Sequence, residues 1–378
     1  MSSTQRADVA IIGAGIVGLA HAWIAAEQGK SVVVLERSPQ AQGASIRNFG
    51  MIWPIGQMPG EAYHRAMRSR ARWLRAIRDG NLWHDPCGSL HLAYADDEWA
   101  VMEEFVSRYR DDGLDVRLMS PTEIQQKYPA VQRHQLRGGL FSGTEICVDP
   151  RQAIAELPRM LREKHRVNIQ YGVAVTDITM PHITTATGAV WEVERAVVCT
   201  GADFESLYPA LFAQSGIRRC KLQMLRTRPQ RQFRIGTMLA GGLTLLHYAA
   251  FRDCATLPTL KNRMHAQYAD YLRYGIHVMA SQNGLDEVVI GDSHEYDDDI
   301  QPWDKPEIDE MVLSYLRRMV ELPDWTISGR WHGIYAKHPN QIIVQAQPHP
   351  RVDVVNALGG AGMTLSFGFA EEFWKSRL

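Results

Sequence analysis

Residues 9–12 form an unbroken apolar run with β-branched content, the pattern of a strand buried on both faces. Gly13-Ala14-Gly15-Ile16-Val17-Gly18 follows, and residues 19–28 read as a helix that stops at Gly29. A second buried strand is predicted over 31–35, apolar from Val32 onward, and Glu36 closes it. The pattern predicts a βαβ opening. Further along it predicts helices over 61–78, 96–111 and 121–128, and strands over 90–94 and 138–148. Residues 150–166 read as a helix that Pro158 ends or kinks. Strands are predicted over 168–177, 189–194 and 195–199, and residues 220–290 read as strand-rich with one helix, 259–271. The remainder predicts a helix over 308–320, strands over 331–335, 342–345 and 352–357, and a closing helix over 363–376. Six arginines of the 61–78 helix point in too many directions for one stripe, so they read as a solvated face.

Composition narrows the class. With 378 residues, 45 % apolar and 22 % charged, the chain suits a globular protein of about two to three domains. Lys and Arg number 41 against 42 Asp and Glu, which argues against a general nucleic-acid binder. Five scattered cysteines form no CxxC pair, so neither a disulfide framework nor a zinc knuckle is expected, and a reducing compartment fits. No apolar run reaches the ~18 residues of a membrane helix. The short polar start leaves no room for a signal peptide, so a cytoplasmic location is expected.

The first candidate chemistry is Gly13-x-Gly15-x-x-Gly18 with Glu36, which lies 18 positions after Gly18. Gly13 permits the tight turn, Gly15 lets a pyrophosphate approach the backbone, and Gly18 lets helix and strand pack closely. The helix N-terminus offers free N–H donors to phosphate. Glu36 can accept bonds from ribose hydroxyls and would repel a ribose 2′-phosphate. The fingerprint alone does not separate NAD from FAD.

Four patches do. They are Gly13 to Gly18 with Glu36-Arg37; Gly43-Ala44-Ser45-Ile46-Arg47-Asn48-Phe49-Gly50; Val197-Val198-Cys199-Thr200-Gly201-Ala202; and Gly359-Gly360-Ala361-Gly362-Met363-Thr364. In this order they resemble the D-amino-acid oxidase, glycine oxidase and sarcosine oxidase family. The resemblance implies an α/β fold with a Rossmann-like, glutathione-reductase-like FAD domain and a second α+β domain on an antiparallel sheet. It implies noncovalent FAD, with Ser45, Arg47 and Asn48 against the cofactor and Val175 meeting the adenine. Thr200 and Gly201 would abut the diphosphate, and Gly360 to Thr364 would aim N–H donors at the flavin. The expected FAD domain comprises 1–79, 145–215 and 329–378, and the substrate domain 80–144 and 216–328.

The substrate side departs from the family. In Trp331-His332-Gly333-Ile334-Tyr335-Ala336-Lys337, glycine-oxidase-like members place a carboxylate-gripping arginine where this chain has Tyr335. Members with a cysteine-linked flavin carry that cysteine where this chain has Gly333. Lysines of sarcosine-oxidase-like members fall at Thr364 and Val289. His247, Tyr248, His277, His294, His332, Tyr335 and Lys337 are the candidate catalytic residues, expected on strands facing the flavin. Their patches resemble oxidases associated with aminoalkylphosphonate breakdown. Several point cations and hydroxyls suit a phosphonate better than one bidentate arginine does. His294, Glu295 and the acids at 297–299 read as an acidic surface turn, with no metal expected.

The expected function is therefore FAD-dependent oxidation of a small primary or secondary amine with an anionic head. The best candidate is 2-aminoethylphosphonate or its N-methyl form, giving an imine and then an aldehyde, with O2 reduced to H2O2. The alternatives are a glycine, sarcosine or D-amino-acid oxidase, and an amine dehydrogenase using another acceptor. The oligomeric state stays open.

Overall fold

The computed structural model describes residues 4–297 and 300–377; the acids at 298 and 299 of the expected surface turn lie outside the described residues. Two large sheets carry the fold. In the eight-stranded sheet, Gln5–Ile12 pairs in parallel with Val32–Glu36 on one side and Val190–Val198 on the other. Asn168–Tyr171 extends the parallel sheet beyond Val32–Glu36, and Val352–Asn356 pairs in parallel with Val190–Val198. Val9 and Ile11 face one apolar cluster while Ala10 and Ile12 face another. The same split divides Val32 and Val34 from Val33 and Leu35. Both faces are covered, which is why these strands read as continuous apolar runs. The segment expected as two strands at 189–199 is the single strand Val190–Val198.

Helices Ile16–Glu27, Glu61–Gly80, Pro150–His165 and Gly362–Lys375 cover one face of this sheet. Pro158 does not end its helix; burial of Leu157, Pro158 and Leu161 carries Pro150–His165 through the lost hydrogen bond. The arginines of Glu61–Gly80 do not form a solvated face. Arg65 and Arg68 pair with Glu372, Arg72 with Glu27 and Glu371, and Arg75 with Glu27. They tie three helices together.

The nine-stranded sheet runs in the order Glu295–Asp297, Arg218–Thr227, Val288–Gly291, Met279–Gln282, Met238–Ala240, Ser89–Ala93, Gly138–Ser142, Val116–Met119. Ile327–Lys337 pairs antiparallel with Arg218–Thr227 along nearly its whole length. By sheet membership this strand goes with the second sheet, although it was expected in the FAD segment 329–378. Residues 242–273 hold three α-helices rather than one, Gly242–His247, Leu257–Gln267 and Ala269–Arg273, with the 3-10 turn Ala249–Phe251 between the first two. His247 therefore ends a helix, and Tyr248 caps it. His277 and His294 lie in the connections beside Met279–Gln282 and Val288–Gly291, so of the seven candidates only His332, Tyr335 and Lys337 sit on a strand as expected.

A small third sheet joins Met51–Ile52, Ile146–Val148 and His84–Asp85. Beside it Glu145 is fully buried and accepts bonds from Ile55 N at 3.0 Å, Thr144 Oγ1 at 2.8 Å and Ser89 Oγ at 3.1 Å. Desolvation outweighs these bonds and holds its carboxyl above the usual range. A folded-state pKa raised above the unfolded value contributes stability that is complete below the unfolded value of about 4.3 and is lost as pH rises through the folded one. Glu145→Gln removes this titration. The urea midpoint of the variant should therefore gain on the wild type between pH 4 and pH 7.5. A constant offset across that range would show that Glu145 does not titrate differently on folding.

Candidate active site

One cavity of about 1300 Å³ reaches from Glu36 and Val175 to His277 and His294. That exceeds the ~300–1000 Å³ of ordinary small-ligand pockets. Its first wall begins where Gln5–Ile12 turns into Ile16–Glu27. Gly13 has φ +107°, and a Cβ there would lie 2.5 Å from the Cys199 carbonyl oxygen. A Cβ at Gly18 would lie 2.0 Å from the Gly13 oxygen. Glu36 Oε2 accepts from Ala14 N at 2.9 Å, and Oε1 accepts from Ser38 N at 2.9 Å. Each carboxylate oxygen keeps a lone pair for another donor. Ser45 Oγ accepts from Ile16 N at 3.0 Å.

Asn48 shapes the next loop by donating to the Ala44 and Ser45 carbonyls at 3.0 Å and accepting from Gly50 N at 2.8 Å. Arg47 donates to the His332 carbonyl at 3.3 Å and has no carboxylate partner among the described residues. Arg37 pairs with Asp203. Thr364 Oγ1 accepts from Trp53 N at 2.9 Å.

Of the sequence-predicted cofactor residues, Gly13, Gly15, Ile16, Val17, Glu36, Arg37, Gly43, Ala44, Ser45, Arg47, Asn48 and Val175 line the cavity. So do Thr200, Gly201, Gly333 and the whole of Gly359 to Thr364. Ala14, Gly18 and Gly50 do not. Ala14 and Gly18 are spent on the turn itself, and a Cβ at Gly50 would meet the Val148 oxygen at 1.9 Å.

At the other end stand His247, Tyr248, His277, His294, Tyr335 and Lys337. Lys337 Nζ donates to Tyr296 Oη at 2.8 Å. The His247 and His277 rings are 3.7 Å apart, and those of His277 and His294 5.0 Å. Burial pushes His294 down to about 3, and burial with the neighbouring rings pushes His247 and His277 well below the ordinary range. Burial also raises the Tyr248 and Tyr335 phenols and lowers Lys337. Asp292 Oδ1 lies 3.2 Å from His277 Nε2, and burial raises this carboxyl strongly.

His332 is absent from the cavity wall. Its Nδ1 lies 2.9 Å from Asp304 Oδ1, on the face of its strand opposite Gly333 and Tyr335. Sequence reasoning missed Phe49, Trp53, Arg252, Asp292 and Asn356, which also line the cavity. Asp292 was within reach, since it sits two residues before His294 on the strand-end Gly291.

The family model described as FAD dependent oxidoreductase matches residues 8–374, and the chain belongs to that family. It is 27 % identical over 205 residues to the bovine (Bos taurus) "FAD-dependent oxidoreductase domain-containing protein 1". That match spans 50 % of this chain and only 42 % of the relative, less than half its length. The fold is similar to that of glycine oxidase from Bacillus cereus, with TM-score 0.77, 15 % identity and coverage of 98 % and 96 % of the two chains. It is also similar to that of L-proline dehydrogenase from P. horikoshii, with TM-score 0.78, 20 % identity and coverage of 99 % and 95 %.

The family's cofactor is FAD, and the wall fits it. Ile16–Glu27 and Gly362–Lys375 both start at the cavity, with no acidic residue in either first turn. Their N-terminal ends favour an anionic diphosphate. A side chain added at Gly43 or Gly201 would meet no protein atom within 4 Å, so the cradle is open there.

His332→Gln tests the corrected placement. Asp304 keeps its 2.8 Å partner Lys221, so the stability loss in urea should stay under ~1 kcal/mol. Flavin content should match the wild type. Loss of bound flavin would put His332 back in the site.

Proposed function

We propose that this chain is an FAD-dependent amine oxidoreductase whose substrate is a small amine with a phosphonate-like head, 2-aminoethylphosphonate or its N-methyl form being the best candidate. The observation that carries this reading is the end of the cavity where Tyr335 and Lys337 share one strand face, with Tyr335 at the position where glycine-oxidase-like members carry an arginine. A carboxylate is planar and suits the fork of a guanidinium. A phosphonate presents three oxygens in a tetrahedron and suits separate donors arriving from several directions.

Bound FAD would supply two-electron acceptance for the hydride carried by the carbon next to the amine nitrogen. The residues supply the rest. Gly13, Gly15, Ile16, Val17, Ser45, Thr200 and Gly201 would hold the diphosphate, and Glu36 the ribose. Gly359 to Thr364 would face the flavin ring, and Gly333 leaves no thiol for a covalent link. Lys337 and Tyr335 would anchor the anionic head and so fix where the amine end lies. Buried Tyr335 keeps its phenol proton and can donate it in a hydrogen bond. Burial among apolar groups excludes water from the transfer. The segments 1–79 and 145–215 with the C-terminal loop and helix would form the cofactor unit, and the nine-stranded sheet the substrate unit. The five unpaired cysteines support a reducing, cytoplasmic setting. No described helix is long and apolar enough to cross a membrane.

Oxygen is the proposed electron acceptor. A second reading, an amine dehydrogenase with another acceptor, is favoured by the two places where related oxidases carry lysine. Here Val289 packs with Cys220, Leu222 and Met224, and Thr364 is bonded to Trp53 N. A peroxide assay on aminoalkylphosphonates, glycine, sarcosine and D-amino acids separates the readings. Phosphonate turnover with peroxide is expected. Turnover only with an artificial acceptor would select the dehydrogenase, and faster turnover of glycine or sarcosine would defeat the phosphonate assignment.

Acid precipitation should leave a yellow supernatant and a colourless pellet. Loss of a charge-assisted hydrogen bond costs ~1.5–3 kcal/mol, so Lys337→Met should lower kcat/KM on the phosphonate about 10- to 150-fold. The loss on an amine without the anionic head should be much smaller. Equal losses on both would place Lys337 on the flavin rather than on the head.

A further inference from the structure

We propose that His247, His277 and His294, with Asp292, form a binding site for a zinc-class divalent transition-metal ion at the substrate end of the cavity. The four residues come from three separate parts of the chain. His247 ends a helix, His277 precedes Met279–Gln282, and Asp292 and His294 follow Val288–Gly291. One ring nitrogen from each histidine lies within 4.8 Å of the other two. An ion ~2.0–2.1 Å from each ligand sets tetrahedral ligand atoms about 3.4 Å apart, so side-chain rotations of about 1 Å close the set.

A tautomer supplies the second observation. His294 Nδ1 lies 3.0 Å from the Gly275 carbonyl oxygen. A carbonyl only accepts, so Nδ1 carries the proton and Nε2 of the neutral ring presents a lone pair. That lone pair lies 3.8 Å from Asp292 Oδ2. An Asp292 oxygen and this lone pair then face each other across a gap too long for a hydrogen bond. A cation between them resolves the contact, at a spacing that suits two ligands of one ion. Holding the remote ring N–H on a backbone carbonyl is also how proteins orient a metal-binding histidine.

The third observation is unpaired polarity. His277 Nδ1 is buried without a hydrogen-bond partner, and Asp292 Oδ1 has only the 3.2 Å approach of His277 Nε2 and no well-formed hydrogen bond, on residues 3 % and 6 % exposed. Buried polar atoms are nearly always satisfied, and an ion would satisfy the carboxylate. Three nitrogens and one oxygen are a zinc-class donor set. The charge also balances, in a part of the inference that rests on the substrate reading above. A dication, Asp292 and Lys337 sum to about +2, the complement of a phosphonate dianion.

Zinc uptake tests the site without substrate. The flavin-loaded protein is dialysed against a chelator and equilibrated with zinc, then with cobalt(II) as the spectroscopic probe. One ion per chain is expected, with the intense visible absorption of a tetrahedral cobalt centre. His277→Gln and His294→Gln should each weaken zinc binding at least ~10-fold, and His332→Gln should not. Half-buried His247 gives a variant, His247→Gln, that can be read even where the buried ones fail to fold, with flavin absorbance and melting temperature reporting integrity. Wild-type protein that keeps its flavin and takes up no zinc would overturn the site, as would His247→Gln binding zinc like the wild type. A protein that binds no zinc yet prefers phosphonates defeats only the metal site. One that binds zinc yet prefers glycine defeats only the substrate reading.

Discussion

The cofactor half of the molecule depends on one backbone contact, the seating of the first helix on the first strand at Gly18. A Cβ there would lie 2.0 Å from the Gly13 oxygen, a separation no side chain can accept. Only with glycine can Ile16–Glu27 descend far enough to aim its N-terminus along the strand ends. Once it does, Ala14 N meets Glu36 and Ile16 N meets Ser45, so the turn, the second strand and the Gly43–Gly50 loop take their positions from it. The anion-binding capacity of the helix end is then a consequence of packing, because the dipole points where the helix is seated.

The opposite wall is set by a different kind of contact. Gly359 to Thr364 leads into and opens the helix Gly362–Lys375, whose Glu371 and Glu372 are both held by arginines of Glu61–Gly80. Exposed ion pairs contribute little, ~0–1 kcal/mol each. These are partly withdrawn from solvent and act together, with Arg72 bridging Glu27 and Glu371. Trp73 Nε1 donates to the Met363 carbonyl at 2.7 Å, and Trp53 N donates to Thr364. The loop facing the flavin is thereby fixed to the same helix layer as the loop facing the diphosphate.

The cofactor side was legible because each of its features is local. Val9 to Ile12, the glycine spacing and Glu36 lie in one short stretch, and strands buried on both faces announce themselves as apolar runs. The arginines of Glu61–Gly80 misled because their partners, Glu371 and Glu372, lie some 300 residues away, beyond any local pattern. Within the strand-rich reading of 220–290, Gly242–His247 is a helix, and it seats closely on Glu98, where a Cβ at Gly242 would come within 2.3 Å of the carboxylate. Period-two reading could place Tyr335 and Lys337 on one face. By the same rule His332 belongs with the other face, where it meets Asp304.

The substrate end shows why polar residues at unlike local positions can still make one site. His247 arrives on a helix end, His277 and His294 on connections, and Tyr335 and Lys337 on a strand, so no sequence period links them. Connections can bring side chains in from several directions, whereas a strand offers one line of them. A planar ligand needs one line, and a tetrahedral head or a metal ion needs several. Burial then sorts the charges. It strips protons from the histidines, keeps them on the phenols, and draws both the Asp292 carboxyl and the Lys337 amine toward their neutral forms. His294, whose tautomer is fixed by the Gly275 carbonyl, turns its Nε2 lone pair toward Asp292 at 3.8 Å. The protein alone therefore holds this end of the cavity close to neutral, and the charge it carries in use comes with what binds there.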